Sequence, residues 1–158
     1  NIAFSFGVGA NVANQKHLHP RARELYDEHR ATIQEFISAN AHKYNFVEVG
    51  VSSIGFSNTM NLTGTPLDTT ISTLSKCKHY FGMHSGVMHL ATAIGLPATI
   101  IINFPTMERM RLIEPPSNSN DMMAWEKDWL YPQHRYLHED YDVSSHAITV
   151  SNLENMLM

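Results

Sequence analysis

The chain has 158 residues, 43% apolar and 16% charged, with a formal net charge of −4, ten histidines and one cysteine. That is enough for one globular domain with a real hydrophobic core, and too apolar for a disordered chain. The acidic balance excludes a nucleic-acid binder, which needs a basic face; no run approaches the ~18 apolar residues of a membrane span; and a lone Cys77 excludes an internal disulfide and points to a reducing, cytoplasmic compartment. The sequence opens at Asn1 without an initiator Met and enters a strand directly, which reads as a piece of a longer chain. Ile2 to Phe6 alternates as that strand and meets Gly7-Val8-Gly9-Ala10-Asn11, a small-residue turn. Residues 20–43 carry Leu25, Tyr26, His29, Ile33, Phe36, Ile37 and Asn40 on one stripe, which predicts a long amphipathic helix with Pro20 at its first position. Arg23 and Asp27 pair at i,i+4 on its outer face, and His29 reads as a satisfied, partly buried histidine.

Residues 46–51 (FVEVGV) alternate as the next strand. Ser52 to Pro66 follows as a turn-rich loop at a strand's C-terminal end, where open α/β sheets hold ligands. Its Ser, Thr and Asn residues read either as contacts to a ribose or base or as an ordinary polar connection. The Asn61-Leu62-Thr63 sequon is taken as chance. Asp68 or Thr69 is expected to cap a short helix that turns Ile71, Leu74 and Cys77 inward, with Cys77 a small core residue.

His79 to Pro97 is the centre of the pattern. A short apolar strand (79–82) turns through Gly82, His84, Ser85 and Gly86 into a helix with Val87, Leu90, Ala91 and Ile94 at helical spacing, Gly95 at its C-terminal cap and Pro97 just beyond. Ala98 to Ile102 is apolar and β-branched, as a strand covered on both faces requires. Such a corner aims backbone N–H groups and a helix dipole at whatever sits above it, and the natural guest is a phosphate. The expected architecture is an open, mostly parallel, doubly wound sheet with helices on both faces, its strands including 2–6, 46–51, 79–82 and 98–102.

Beyond Ile102, residues 107–120 read as a loop in which Arg109 and Arg111 face a donor diphosphate, a partner domain or solvent. Trp125 to Tyr141 concentrates aromatic residues among charges, as segments that cover a domain face or meet a partner do. Ile148 to Val150 is a short strand or lead-in, and Ser151-Asn152-Leu153-Glu154 reads as a capping box opening a terminal helix. No metal is expected. His17 and His19 are two apart and His84 and His89 five apart, and neither spacing makes a helical zinc pair. Ser85 is not a nucleophile-elbow serine, because Met83 stands where the elbow needs Gly.

The string Gly82-Met83-His84-Ser85-Gly86-Val87-Met88-His89-Leu90-Ala91, with Ala93-Ile94-Gly95-Leu96-Pro97 after it, resembles the donor-binding signature of heptosyltransferase-type (family 9-like) glycosyltransferases. There an Asp-Ser/Thr-Gly corner leads into a His-Leu-Ala helix and an Ala-x-Gly-x-Pro turn. Gly9 through Lys16 to Pro20 resembles the family's small-residue loop, Lys and Pro, although Lys16 to Pro20 is one residue longer.

The resemblance implies that residues 1–158 are one nucleotide-sugar-binding domain, the C-terminal half of a two-domain GT-B enzyme, whose N-terminal acceptor domain supplies the catalytic base. Its implied site is Gly9, Asn11, Lys16, His84, Ser85, Gly86 and His89, with Arg109 and Arg111 in reserve. The ligand is a nucleotide-diphosphate sugar as substrate, with no cofactor and no nucleic-acid partner, at a cytoplasmic location that leaves peripheral membrane association open. Lys16 is otherwise a solvated surface lysine. The family's corner Asp is His84 here, and an imidazole can donate to a phosphate oxygen and charge near pH 6.5, which an ionised Asp cannot do. Two further readings stand beside transfer: a non-catalytic nucleotide-binding module, suggested by the missing corner Asp, and part of a GT-B nucleotide-sugar epimerase.

Overall fold

The computed structural model describes residues 1–7, 25–103, 131, 133–139 and 146–158. Strands β1 (Ile2–Ser5), β2 (Phe46–Glu48), β3 (Thr59–Asn61), β4 (His79–Met83), β5 (Ala98–Ile102) and β6 (Arg135–His138) form one sheet in the order β3-β2-β1-β4-β5-β6. Every pairing is parallel. The chain builds outward from β1 through β2 to β3, then returns to the other side of β1 and builds outward through β5 to β6. The reversal puts a topological switch point between β1 and β4, where Ser5 lies opposite Gly82.

Helices α1 (Asp27–Asn40), α2 (Leu67–Leu74), α3 (Gly86–Ala93) and α4 (Val150–Glu154) cover both faces. One core joins the sheet to α2 and α3 through Ala3, Val47, Tyr80, Leu74, Met88 and Ile100. The other joins it to α1 and α4 through Phe4, Phe36, Phe46, Phe81, Ile101 and Leu153. Alternate residues of β4 serve opposite cores, Tyr80 one and Phe81 the other, as the period of a strand requires.

Several local expectations need correction. The helix predicted over 20–43 starts at Asp27, because Tyr26 is its extended N-cap with φ −66° and ψ 142°. Leu25 and Tyr26 are buried as predicted, but ahead of the helix, and the Tyr26 amide donates to the Glu139 carboxylate at 2.7 Å. Within α1 the buried set is Ile33, Phe36, Ile37 and Asn40, a clean helical stripe. Asp27 pairs with Arg30 at 3.6 Å; Pro20 and Arg23 lie outside the described residues.

The stretch 52–66 is not all loop, since it contains edge strand β3. Thr59, Met60 and Asn61 show no apolar alternation because an edge strand of this length buries almost nothing. β6 was likewise hidden in the aromatic segment, where Tyr136 and Leu137 go to opposite cores. Pro66 is the N-cap position of α2, and Asp68 sits inside the first turn, accepting from the Thr69 amide at 2.8 Å. Thr70 and Leu74 are the buried residues of α2, while Cys77 follows the helix and stays partly buried.

α3 buries Met88 and Ala91 rather than the whole expected stripe, and Ile94 is exposed. Its end is a Schellman motif. Gly95 has φ +73°, its amide donates to the Thr92 carbonyl at 3.0 Å, and the Leu96 amide donates to the Ala91 carbonyl at 2.9 Å. α4 is capped by Thr149, whose side chain accepts from the Asn152 amide at 3.1 Å, and not by Ser151.

Candidate functional site

A cleft of about 470 Å³ opens at the C-terminal edge of the sheet, over the switch point. Ser5, Phe6 and Gly7 enter it from the end of β1, Gly50 and Val51 from beyond β2, and Met83 from the end of β4. Thr65, Leu67 and Thr70 line it from the start of α2, and Ser85, Gly86, Val87 and Leu90 from the start of α3. Two helix N-termini therefore meet at one cleft, and neither carries a side-chain cap of its own. Their positive dipole ends favour an anion there, although in α2 the Asp68 carboxylate already accepts from the Thr69 amide. No charged side chain is among the described lining residues, so the polarity is that of hydroxyls and backbone.

Close backbone approaches shape the walls. A Cβ on Gly7 would lie 1.8 Å from the Ser52 carbonyl oxygen, so the turns after β1 and β2 touch only because Gly7 has no side chain. Gly50 adopts φ +112°, and a Cβ there would sit 2.7 Å from Ser5 Oγ. Gly86 is different: a Cβ there meets nothing within 4 Å and projects into open space. The turn beyond β2 is held from beneath by buried Glu48, whose carboxylate accepts from the Ser53 hydroxyl and, at 2.9 Å, from the Ile54 amide.

Of the sequence-predicted residues, Ser85 and Gly86 line the cleft. His84 and His89 do not. His84 is buried, its ring edge-on to His89 with centroids 5.6 Å apart, and exposed His89 meets the Tyr131 hydroxyl through Nδ1 at 2.8 Å. On the same flank of α3, His134 Nε2 lies 2.7 Å from Thr92 Oγ1. Gly9, Asn11, Lys16, Arg109 and Arg111 lie outside the described residues. No group of three His, Cys, Asp or Glu among the described residues is placed to hold a metal ion, and no described helix is long and apolar enough to cross a membrane. His29 Nε2 lies 3.4 Å from the Glu139 carbonyl, in keeping with a satisfied, partly buried ring. Burial raises the Cys77 thiol pKa, and Sγ contacts the Thr73 carbonyl at 3.3 Å, which suits a packing residue.

Sequence reasoning missed Ser5 and Tyr80. Tyr80 is fully buried, its hydroxyl 3.5 Å from the Oγ of Ser85 in the cleft wall. Burial pushes this phenol up to about 12, so it keeps its proton at any working pH. A Cβ on Gly82 would lie 2.6 Å from this hydroxyl and 2.4 Å from the Ser5 carbonyl oxygen, which is why β4 carries glycine there. A lone polar residue at the end of an apolar strand was the available signal for Ser5.

Fold and cleft together define a parallel α/β domain of the Rossmann-like kind found in GT-B enzymes. No protein-family model matches the sequence, and no characterised protein matches it by sequence. Solved structures do match in fold. The ADP-heptose LPS heptosyltransferase II of E. coli aligns with TM-score 0.58 and 19% identity over 99% of this chain and 44% of its own. E. coli heptosyltransferase WaaC with ADP aligns with TM-score 0.53 and 12% identity, over 99% of this chain and 42% of its own. The iron-containing dodecameric glycosyltransferase TibC from enterotoxigenic E. coli aligns with TM-score 0.52 and 16% identity, over 99% and 43%. The chain thus has the fold of one part of these heptosyltransferases and spans less than half their length.

Proposed function

We propose that the chain is the donor-binding domain of a glycosyltransferase, and that the cleft over the β1/β4 switch point takes the diphosphate of a nucleotide sugar. The observation that carries this reading is the convergence of two uncapped helix N-termini on that cleft. Backbone amides at Gly86 and Val87 face the anion, Ser85 adds a hydroxyl, and Lys16 supplies the balancing charge that the described lining lacks. The neighbours' fold supports a sugar-transfer role, with WaaC in complex with ADP and heptosyltransferase II named for ADP-heptose. In this reading the acceptor and the catalytic base belong to a further domain, so the chain alone binds donor without transferring sugar.

The chemistry asked of this domain is electrostatic. Departure of a nucleoside diphosphate develops negative charge on its β-phosphate, and preorganised amides stabilise that charge without reorganising. The test is calorimetric titration of ADP, GDP, UDP and inorganic pyrophosphate into the chain and its Gly86→Val variant. A Cβ there meets nothing within 4 Å, so the variant adds apolar bulk at the cleft wall. Loss of nucleotide binding with an unchanged melting temperature is the expected result. Unchanged affinity in Gly86→Val moves the ligand elsewhere.

A further inference from the structure

Resting on that reading of the cleft, we infer that Glu48 is a positioning residue for donor binding: its buried carboxylate fixes the turn through which the cleft's walls meet. Glu48 ends β2 with an exposure of only 1%. Val47 and Val49 beside it belong to the core on the α2 and α3 side, while Phe46 belongs to the aromatic core on the other face. By the period of a strand the Glu48 side chain stands on the aromatic face, at its C-terminal edge. An acidic group buried there costs desolvation unless its oxygens are used. Both are used: one accepts from the Ser53 hydroxyl and the other from the Ile54 amide at 2.9 Å. Ser53 Oγ in turn accepts from the Gly55 amide at 3.0 Å, and Ile54 and Phe56 pack onto the aromatic core.

The turn held in this way meets the other walls of the cleft. Gly50 and Val51, at its start, line the cleft themselves. A Cβ on Gly50 would lie 2.7 Å from Ser5 Oγ, at the end of β1, and 3.7 Å from Val87 Cγ2, at the start of α3. The Gly50 carbonyl accepts from the Gly64 amide at 2.8 Å, which ties the turn to the approach of α2, where Thr65 and Leu67 line the cleft. Ser52 reaches back to β1, its carbonyl filling the space that a side chain on Gly7 would need. The α2 and α3 N-termini are therefore spaced through this turn, and Glu48 holds it from the far face.

The turn needs such an anchor. It runs between Gly50 and Gly55, whose φ values of +112° and +80° mark the backbone with the most conformational freedom to lose. With Glu48 in place that freedom is already lost before a ligand arrives. Without it the ligand must order the turn itself, and affinity falls by that cost.

The experiment is calorimetric titration of ADP into Glu48 variants at a temperature where each is folded, with Gly86→Val as the control for the cleft. Glu48→Ala weakens ADP binding about 10-fold. Glu48→Gln stays within about 3-fold of wild type, because its amide oxygen accepts from Ile54 while its amide nitrogen donates to Ser53 Oγ. Glu48→Asp, one methylene shorter, keeps the carboxylate without the reach and weakens binding as Glu48→Ala does. Gln34→Ala, which frees the same loop at Ser57 beyond the turn, leaves affinity unchanged. Wild-type affinity in Glu48→Ala, or an equal loss in Glu48→Gln, overturns the inference while Gly86→Val still abolishes binding and upholds the cleft. An equal loss in Gln34→Ala assigns the effect to general loosening of the loop and overturns it as well. ADP binding unaffected by Gly86→Val, or absent from the wild-type chain, overturns both. Should Glu48→Ala fail to fold, amide exchange in the wild-type chain reads the same coupling: saturating ADP slows exchange at Ile54 and Gly64, and unchanged exchange there overturns the inference.

Discussion

The two faces of the sheet solve different problems. On the α1 and α4 side the interior is aromatic and closed. Phe81 sits against Phe4, Phe6, Phe36 and Phe46 with ring centroids 5.4, 5.5, 5.6 and 6.3 Å apart, mostly edge to face. On the α2 and α3 side the core is mainly aliphatic with Tyr80 and Tyr136 among it, and above it the sheet edge opens into a cleft lined by apolar side chains, hydroxyls and glycines. The same strands serve both, since Tyr80 and Phe81 are neighbours that point opposite ways. A closely packed aromatic slab thus backs an open cleft, so the two faces carry different shares of the fold's stability.

Breaking the slab gives the largest effect. Phe81→Ala removes the ring that joins the others and destabilises by about 3–5 kcal/mol, read from urea unfolding with an unchanged m-value. Leu90→Ala on the cleft wall, where the side chain is only partly buried, costs under about 2 kcal/mol. Equal costs at the two positions remove the distinction between a load-carrying face and an open one.

Acid gives the next effect, and it acts at the end of β4 remote from the cleft. Burial, with the nearby charges of Arg135 and His134, lowers the His79 pKa from 6.5 to about 4, and Nε2 is engaged with Thr99 Oγ1 at 3.0 Å. The unfolded chain therefore binds a proton between those values that the folded chain refuses. The stability this group contributes is fully present above pH 6.5 and is lost as pH falls toward 4, on the order of 3 kcal/mol in all. Burial lowers His134 as well, so it adds in the same direction. Thermal unfolding between pH 7.5 and 4.5 checks this, and His79→Gln flattens the slope. An unaltered slope in that variant assigns the acid loss to other groups.

How much of this was legible follows from what each residue buries. β1, β4, β5 and the stripe from Ile33 to Asn40 were readable because each buries apolar side chains at a fixed period. β3 was not, because it buries almost nothing, and β6 was not, because its buried Tyr136 and Leu137 stand among charged residues and its place is set by pairing with β5, far away in sequence. The corner of Ser85 and Gly86 was legible from its glycines and helix signals. The placement of its histidines was not, since a one-dimensional motif does not say that His84 is buried edge-on to His89 or that His89 meets the Tyr131 hydroxyl. Ser5 and Tyr80 were invisible because their proximity depends on β1 and β4 being adjacent with Ser5 opposite Gly82.

That register supplies a third test, where slab and cleft meet. Gly82→Ala forces a methyl against the Ser5 carbonyl oxygen at 2.4 Å and the Tyr80 hydroxyl at 2.6 Å. Backbone cannot give way as a flexible side chain does, so β1 and β4 separate locally. The expected cost is about 1–3 kcal/mol, with weakened nucleotide binding in the folded fraction. A variant of full stability means that the strands have slack at the switch point.

The smallest effect tests the closed face at its terminal helix. The capping box read from the sequence puts the cap of this helix at Ser151, with Glu154 three residues on. In the structure Thr149 is the cap, accepting from the Asn152 amide at 3.1 Å, and the Asn152 side chain donates to the Ala147 carbonyl at 2.7 Å. Glu154 does not reach back to its helix start but accepts from Asn40 Nδ2 at 3.1 Å, tying α4 to α1. Thr149→Ala therefore costs about 1 kcal/mol, and Ser151→Ala, at an exposed position inside the helix, changes stability by under about 0.5 kcal/mol. Neither variant alters nucleotide affinity, because α4 packs its Leu153 into the aromatic core on the face opposite α3. The reverse order of costs returns the cap to Ser151 and shifts the start of α4 by two residues. A change in affinity from either variant means that the two faces are coupled through the sheet, and the slab is then part of the site.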